Sequence, residues 1–180
     1  SNHKKGFRGE LFYINENTIS FFKKSGKKIA VMIDLKNLDT DLIKIIESLK
    51  SKVDLFRFAI NHRDLKKLES KIKTLNLKAD KIALNFMYLS NWINDKKFIE
   101  ELSKINYAKY IYFVDSYGSC FPEEIKTVVK LFKKHDSKKI LGFHPHNNLE
   151  LAFANSLAAI SNGVDIIDST FLGMGRGAGN

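Results

Sequence analysis

"KYIYFVDSYGSCFPEEIKTVVKLFKKHDSKKILGFH" (109–144) holds two apolar runs with one amphipathic helix pattern between them. "KYIYFVDS" (109–116) and "KILGFH" (139–144) are short, rich in branched and aromatic residues, and read as strands. Between them, "FPEEIKTVVKLFKKH" (121–135) carries Pro122 and two glutamates in its first turn and lysines in its last, the charge order a helix dipole favours. A strand, a helix and a second apolar strand form the unit of a parallel sheet covered by helices.

The unit repeats outward in both directions. Upstream, strands are expected at 27–34, 53–60 and 81–90, and helices at 39–50, 64–75 and 95–105. Asp39 and Thr40 stand where a helix cap belongs, with Leu42, Ile45, Ile46 and Leu49 at helical spacing behind them. In the next helix Leu65, Leu68, Ile72 and Leu75 share one face. Downstream, "NLELAFANSLAAISN" (148–162) is a helix stopped by Gly163, and "VDIIDST" (164–170) a sixth strand. Strict alternation leaves two architectures, an open doubly wound sheet or a (β/α)8 barrel. Both gather function at the carboxyl ends of the strands. That is where Asp115, His144, His146 and the glycine run after Thr170 fall.

The first 26 residues join the alternation only as a glycine-containing loop and a short helix at about 16–24. Six units fall short of the roughly 250 residues of a full barrel. The expectation is a single domain over residues 1–180 that is part of a larger barrel, with Ser1-Asn2 a candidate expression scar.

Composition narrows the function classes. The net charge is +10, but only Arg8, Arg57, Arg63 and Arg176 of the 30 basic residues are arginines. Dispersed lysines describe a solvated surface better than a nucleic-acid site built from arginine forks and aromatics. No apolar run is long enough for a membrane helix, and no secretory signal opens the sequence. The single cysteine, Cys120, fits a reducing cytoplasm.

Two motifs carry chemistry. His144 and His146 lie two apart at a strand end, so both rings can aim into one space, which suits a divalent metal. Two ligands are too few, so others must come from elsewhere. "GMGRGAGN" (173–180) matches G-x-G-x-x-A, a dinucleotide loop, but it follows the last strand rather than the first. Its other readings are a turn, or a glycine-rich wall with Asn180 aimed at the site.

"GFHPHNNLELAFANSLAAISNGVDIIDSTFLGMGRGAGN" (142–180) resembles the carboxyl-terminal part of the barrel in the superfamily of metal-dependent aldolases and acyl-CoA condensing enzymes. That group includes 4-hydroxy-2-oxovalerate aldolase, hydroxymethylglutaryl-CoA lyase and the isopropylmalate and homocitrate synthases. Three motifs agree in order: His-x-His, Ala-Asn-Ser-Leu-Ala-Ala, and Gly-x-Gly-x-x-Ala-Gly-Asn. "YFVDSYGSCFPEEI" (112–125) resembles the sixth-strand segment of the same barrel.

The resemblance implies a (β/α)8 TIM barrel of which strands three to eight are present. Strands one and two, and the last helix, are expected to be absent. It implies a divalent cation on His144, His146 and Asn180, with Mn²⁺ first and Mg²⁺, Co²⁺ or Zn²⁺ behind it. The strand-one Arg-Asp-Gly that supplies a further aspartate has no counterpart here, since Arg63-Asp64 is followed by Leu65. The catalytic base and arginine are expected on that missing strand. Asp115 is a candidate group behind the ligands or facing substrate, and equally a loop-capping aspartate; Arg176 reads first as an exposed loop cation, and otherwise as a group facing an anionic substrate.

The implied activity is a carbon–carbon lyase that releases pyruvate from a 4-hydroxy-2-oxo acid, working as a homo-oligomer or with a partner dehydrogenase. The alternatives are acyl-CoA-dependent Claisen condensation, a hydroxymethylglutaryl-CoA lyase-like reaction, a non-catalytic barrel relative and a dinucleotide-binding domain. The chain alone is expected to be catalytically silent, with two open sheet edges and an exposed apolar interior.

Overall fold

A computed structural model describes residues 15–136, 138–175 and 177–178. Six strands form one sheet: β1 (Ala30–Asp34), β2 (Leu55–Asn61), β3 (Ile82–Met87), β4 (Tyr110–Val114), β5 (Ile140–His144) and β6 (Ile166–Ile167). Each strand pairs in parallel with the next in sequence, from β1 to β6 without a reversal. An open doubly wound sheet needs a switch point in its strand order. The sequential order is instead that of a barrel wall, so the chain is a TIM-barrel arc, as the alternation predicts.

Helix α1 (Glu16–Lys23) precedes β1, and α2 (Thr40–Leu49), α3 (Leu65–Lys73), α4 (Lys96–Ser103), α5 (Pro122–His135) and α6 (Ala152–Ser161) each follow one strand. Local chemistry starts them. Asp39 Oδ1 accepts from Leu42 N at 2.8 Å, Asp95 Oδ1 from Phe98 N at 3.0 Å, and Glu124 Oε2 from Phe121 N at 2.8 Å. In α2 the buried face runs through Ile46 and Leu49, while Ile45 turns outward and Ile43 packs in its place. The sixth strand is shorter than the 164–170 expected, because only Ile166 and Ile167 pair with Gly142 and Phe143.

The strands alternate between two faces. Phe56, Phe58, Leu84, Phe86, Ile111, Phe113, Leu141 and Phe143 join the main core under the helices. There Phe113 lies edge-on between Trp92 at 5.1 Å and Phe132 at 5.4 Å. The opposite parity forms a second, smaller cluster of Ala83, Tyr112 and Val114, with Leu55, Tyr110 and Ile166 against it. The interior is therefore not simply apolar, since Arg57, Asn85 and His144 share its parity.

At the amino ends, Asp54 Oδ2 accepts from Ile29 N at 2.8 Å and from Lys23 Nζ at 2.9 Å, tying α1 to the start of β1. The Ile29 amide, then Lys23, hold the Asp54 carboxyl below its ordinary value. A carboxylate with a lowered folded pKa adds stability above pH 3.8, its unfolded value, and loses it as pH falls through the lower folded value. Asp54→Asn should therefore be less stable than the parent near about pH 6, with the gap closing towards about pH 3. Urea midpoints at the two pH values check this, and a pH-independent gap would count against it.

Candidate active site

Sheet curvature assembles the site. Strands lie about 4.8 Å apart, so four steps from β2 to β6 span roughly 19 Å in a flat sheet. That is further than an arginine and an aspartate side chain reach together. Yet Arg57 Nη1 and Nη2 of β2 donate to Asp168 Oδ1 and Oδ2, just past β6, at 2.8 and 2.5 Å. The sheet must therefore curl, as a barrel wall does.

Around this pair sit the other polar groups of the inner face. Arg57 Nε donates to Asn85 Oδ1 at 3.3 Å, and its Cζ lies 3.9 Å from the centre of the Tyr112 ring. A Cβ on Gly142 would come within 2.2 Å of that ring, so only glycine leaves Tyr112 room to lie flat under the guanidinium. Burial raises the Tyr112 phenol, which stays protonated, although Arg57 works against the shift.

His144 ends β5 on the same face, opposite Val114 in register. Its Nδ1 lies 2.7 Å from Asp168 Oδ2. Burial works to raise the Asp168 carboxyl, but hydrogen bonds from His144 and Arg57 hold it below its usual range. An ionised carboxylate only accepts, so Nδ1 is assigned a proton, and in the neutral ring the lone pair then falls on Nε2. The His146 ring packs against that of His144, centroids 5.0 Å apart at 68°. The structure thus brings the two histidines together. Pro145 between them is buried.

Neighbouring loops fix the histidine segment. Asn147 Oδ1 accepts from Ala152 N at 3.0 Å and starts α6. A Cβ on Gly118 (φ +57°) would press within 2.8 Å of His146 O and Asn148 N, so the β4–α5 loop packs directly beneath the segment. Asn155 of the Ala-Asn-Ser-Leu motif is buried and donates Nδ2 to Cys120 O at 2.8 Å, locking α6 to that loop. At the same mouth Tyr88 adopts φ +61°, with its N–H on Ser116 Oγ at 2.9 Å, backbone strain of the kind that gathers at functional sites. A cleft of about 310 Å³ opens at the carboxyl ends of β1–β3, lined in part by Asp34, Asn61, Lys67, Lys71 and Tyr88.

The other sequence candidates fall elsewhere. Asp115 is fully buried, and its oxygens accept from Ser119 N and Cys120 N, both at 3.1 Å. It holds the β4–α5 loop, which is the capping role, and its own N–H donates to His144 O at 3.0 Å. Asn180 and Arg176 lie outside the described residues. The glycine run folds as an antiparallel ribbon, Met174–Gly175 against Gly177–Ala178, and among the described residues it opens no helix. Gly177–Ala178 are thus extended where a dinucleotide loop would already have turned into its helix. Sequence reasoning passed over Arg57, Asn85, Tyr112 and Asp168. The one available signal was a polar residue at inward parity in an otherwise apolar strand.

Residues 64–180 match the HMGL-like family. The chain belongs to that family. It is 41% identical over 101 residues to the 4-hydroxy-2-oxovalerate aldolase of Thermus thermophilus, covering 54% of this chain and 29% of that protein. It is 34% identical over 170 residues to the enzyme of the same name from Geobacillus thermodenitrificans, covering 92% of this chain and 47% of that one. The oxaloacetate decarboxylase of Mycobacterium tuberculosis is 42% identical over 73 residues, 41% of this chain and 21% of that protein. This HMGL-like chain thus spans less than half the length of each of these relatives.

Among solved structures, the N-terminal domain of an aldolase candidate from Bacteroides vulgatus superposes with TM-score 0.85 at 34% identity, over 100% of this chain and 61% of that one. The carboxyl transferase domain of Rhizobium etli pyruvate carboxylase reaches TM-score 0.64 at 18% identity, over 85% of this chain and 29% of that one, and shows the fold alone. No helix among the described residues is long and apolar enough to cross a membrane.

Proposed function

We propose that this chain carries the metal-binding wall of a divalent-metal-dependent aldolase that cleaves a 4-hydroxy-2-oxo acid and releases pyruvate. The observation that carries the reading is the His144–Asp168 contact at 2.7 Å beside the His146 ring. A ligating histidine characteristically gives its other ring N–H to a carboxylate, which fixes its tautomer and direction. The two histidines therefore fit a metal, with His144 offering Nε2. Among the described residues no group of three His, Cys, Asp or Glu could hold an ion, so the remaining ligands would come from outside them, with Asn180 as the candidate. Open positions and mixed nitrogen and oxygen ligands favour Mn²⁺, then Mg²⁺ or Co²⁺, over a closed structural Zn²⁺ site. When bound, the cation supplies positive charge beside the 2-oxo group, where enolate charge develops as the carbon–carbon bond breaks.

The chain's own groups set the stage for that step. Asp168 holds the His144 ring, Arg57 holds Asp168, and Tyr112 remains a neutral group beneath the guanidinium. Cleavage of the C3–C4 bond sends the C4 hydroxyl proton to a base, and C3 is protonated to give pyruvate. By resemblance that base belongs to a strand-one segment. The relatives' names support the substrate class, because a 4-hydroxy-2-oxovalerate aldolase and an oxaloacetate decarboxylase both break the C3–C4 bond of a 2-oxo acid.

The test is pyruvate release by the full-length protein with Mn²⁺, measured with 4-hydroxy-2-oxovalerate and with oxaloacetate. Turnover of the hydroxy acid is the expected result. Turnover of oxaloacetate alone would move the assignment to decarboxylation. Consumption of acetyl-CoA without any 2-oxo acid cleavage would replace it with Claisen condensation.

A further inference from the structure

The Arg57–Asp168 pair joins residues 111 positions apart, one on β2 and the other just past β6, with three strands between. In an eight-stranded barrel, strands four steps apart stand on opposite walls, so the pair crosses the lumen. Both side chains are largely enclosed, at 12% and 16% exposure. A buried ion pair of this kind is weak support for stability, because removing two charges from water costs about as much as their attraction returns. Its geometry points to another role.

Arg57 is held from three directions: by both Asp168 oxygens, by Asn85 Oδ1, and by the Tyr112 ring below. Asn85 is itself 1% exposed, on the strand between those of Arg57 and Tyr112. The planar fork thus fixes the carboxylate in position and rotation. Asp168 Oδ2, which receives Arg57 Nη2, is the same oxygen that meets His144 Nδ1. The His144 ring plane and tautomer are therefore set from the far wall of the barrel.

We infer that Arg57 is a positioning residue for His144. Acting through Asp168, it keeps the proton on Nδ1 and presents the Nε2 lone pair at the barrel mouth, while touching neither metal nor substrate. The inference rests on the metal-site reading above, and the experiment separates the two.

Full-length protein, freed of metal by chelation and labelled with ¹⁵N at histidine, is compared with Arg57→Gln and Arg57→Lys. The His144 signals are assigned by their loss in His144→Gln. Spectra are recorded near about pH 8.5, above the ordinary imidazole range. The parent should show the Nδ1–H tautomer of His144. Arg57→Gln should show a mixture of tautomers and bind Mn²⁺, added alone, about tenfold more weakly. Arg57→Lys keeps the charge but loses the fork, so it should fall between the two. It also serves as the test if Arg57→Gln fails to fold, which thermal unfolding by circular dichroism reports.

A His144 tautomer and Mn²⁺ affinity unchanged in the folded variants would overturn the inference. If the parent binds no Mn²⁺, the metal reading fails, and the tautomer comparison still decides what Arg57 does.

Discussion

Replacing His144 and His146 together with alanine should abolish Mn²⁺ binding and pyruvate release while leaving the barrel wall folded. Removing only the hydrogen-bond partner of a ligating histidine costs 10- to 100-fold in affinity, so losing both ligands should exceed about 100-fold. The fold should survive because neither ring belongs to the main core, and His144 is 27% exposed. Asp168 does not become an unpaired buried charge either, since both its oxygens keep the Arg57 guanidinium. Elemental analysis after dialysis against Mn²⁺, with circular dichroism as the folding control, makes the measurement. A folded double variant with full metal content would sink the assignment of these residues as ligands.

Phe113→Ala should have the largest effect on stability. The ring is fully buried on the helix side of β4, wedged between Trp92 and Phe132, and therefore joins the strand to two neighbouring layers of the core. Its surroundings are backbone-anchored aromatics that cannot collapse into the space. Phe→Ala at such a site costs about 3–5 kcal/mol, a large share of the 5–15 kcal/mol typical of a whole domain. The paired control is Phe153→Ala on α6, where the ring is 75% exposed and the change should stay within about 0.5 kcal/mol. Urea unfolding of both variants checks the contrast. A loss below about 1 kcal/mol at Phe113 would show that the core repacks there.

The barrel wall is legible in the sequence because parallel strands covered by helices read as short apolar runs, and the helices between them announce their own starts. Asp39, Asp95 and Pro122 act within a turn of where they stand, so no distant partner is needed to read them. The His144–His146 pair was legible for a similar reason, as strand parity alone puts both rings on one side. The limits of local reading appear at Asp115 and Arg57. An aspartate at a strand end can cap a loop or face a substrate, and only the placement of Ser119 N and Cys120 N against its oxygens shows that Asp115 caps the loop. Arg57 sits in "VDLFRFAI" (53–60) with nothing nearby to name its partner. That partner is 111 residues away and comes within reach only when the sheet curls. Glycine at 118 and 142 likewise acquires meaning only from the backbone and ring that pack against it. Periodicity and capping are short-range effects, and they determined the elements and their order in this chain. The union of Arg57, Asp168 and His144 depends on barrel curvature, a property of the whole sheet, and so was decided by the tertiary structure alone.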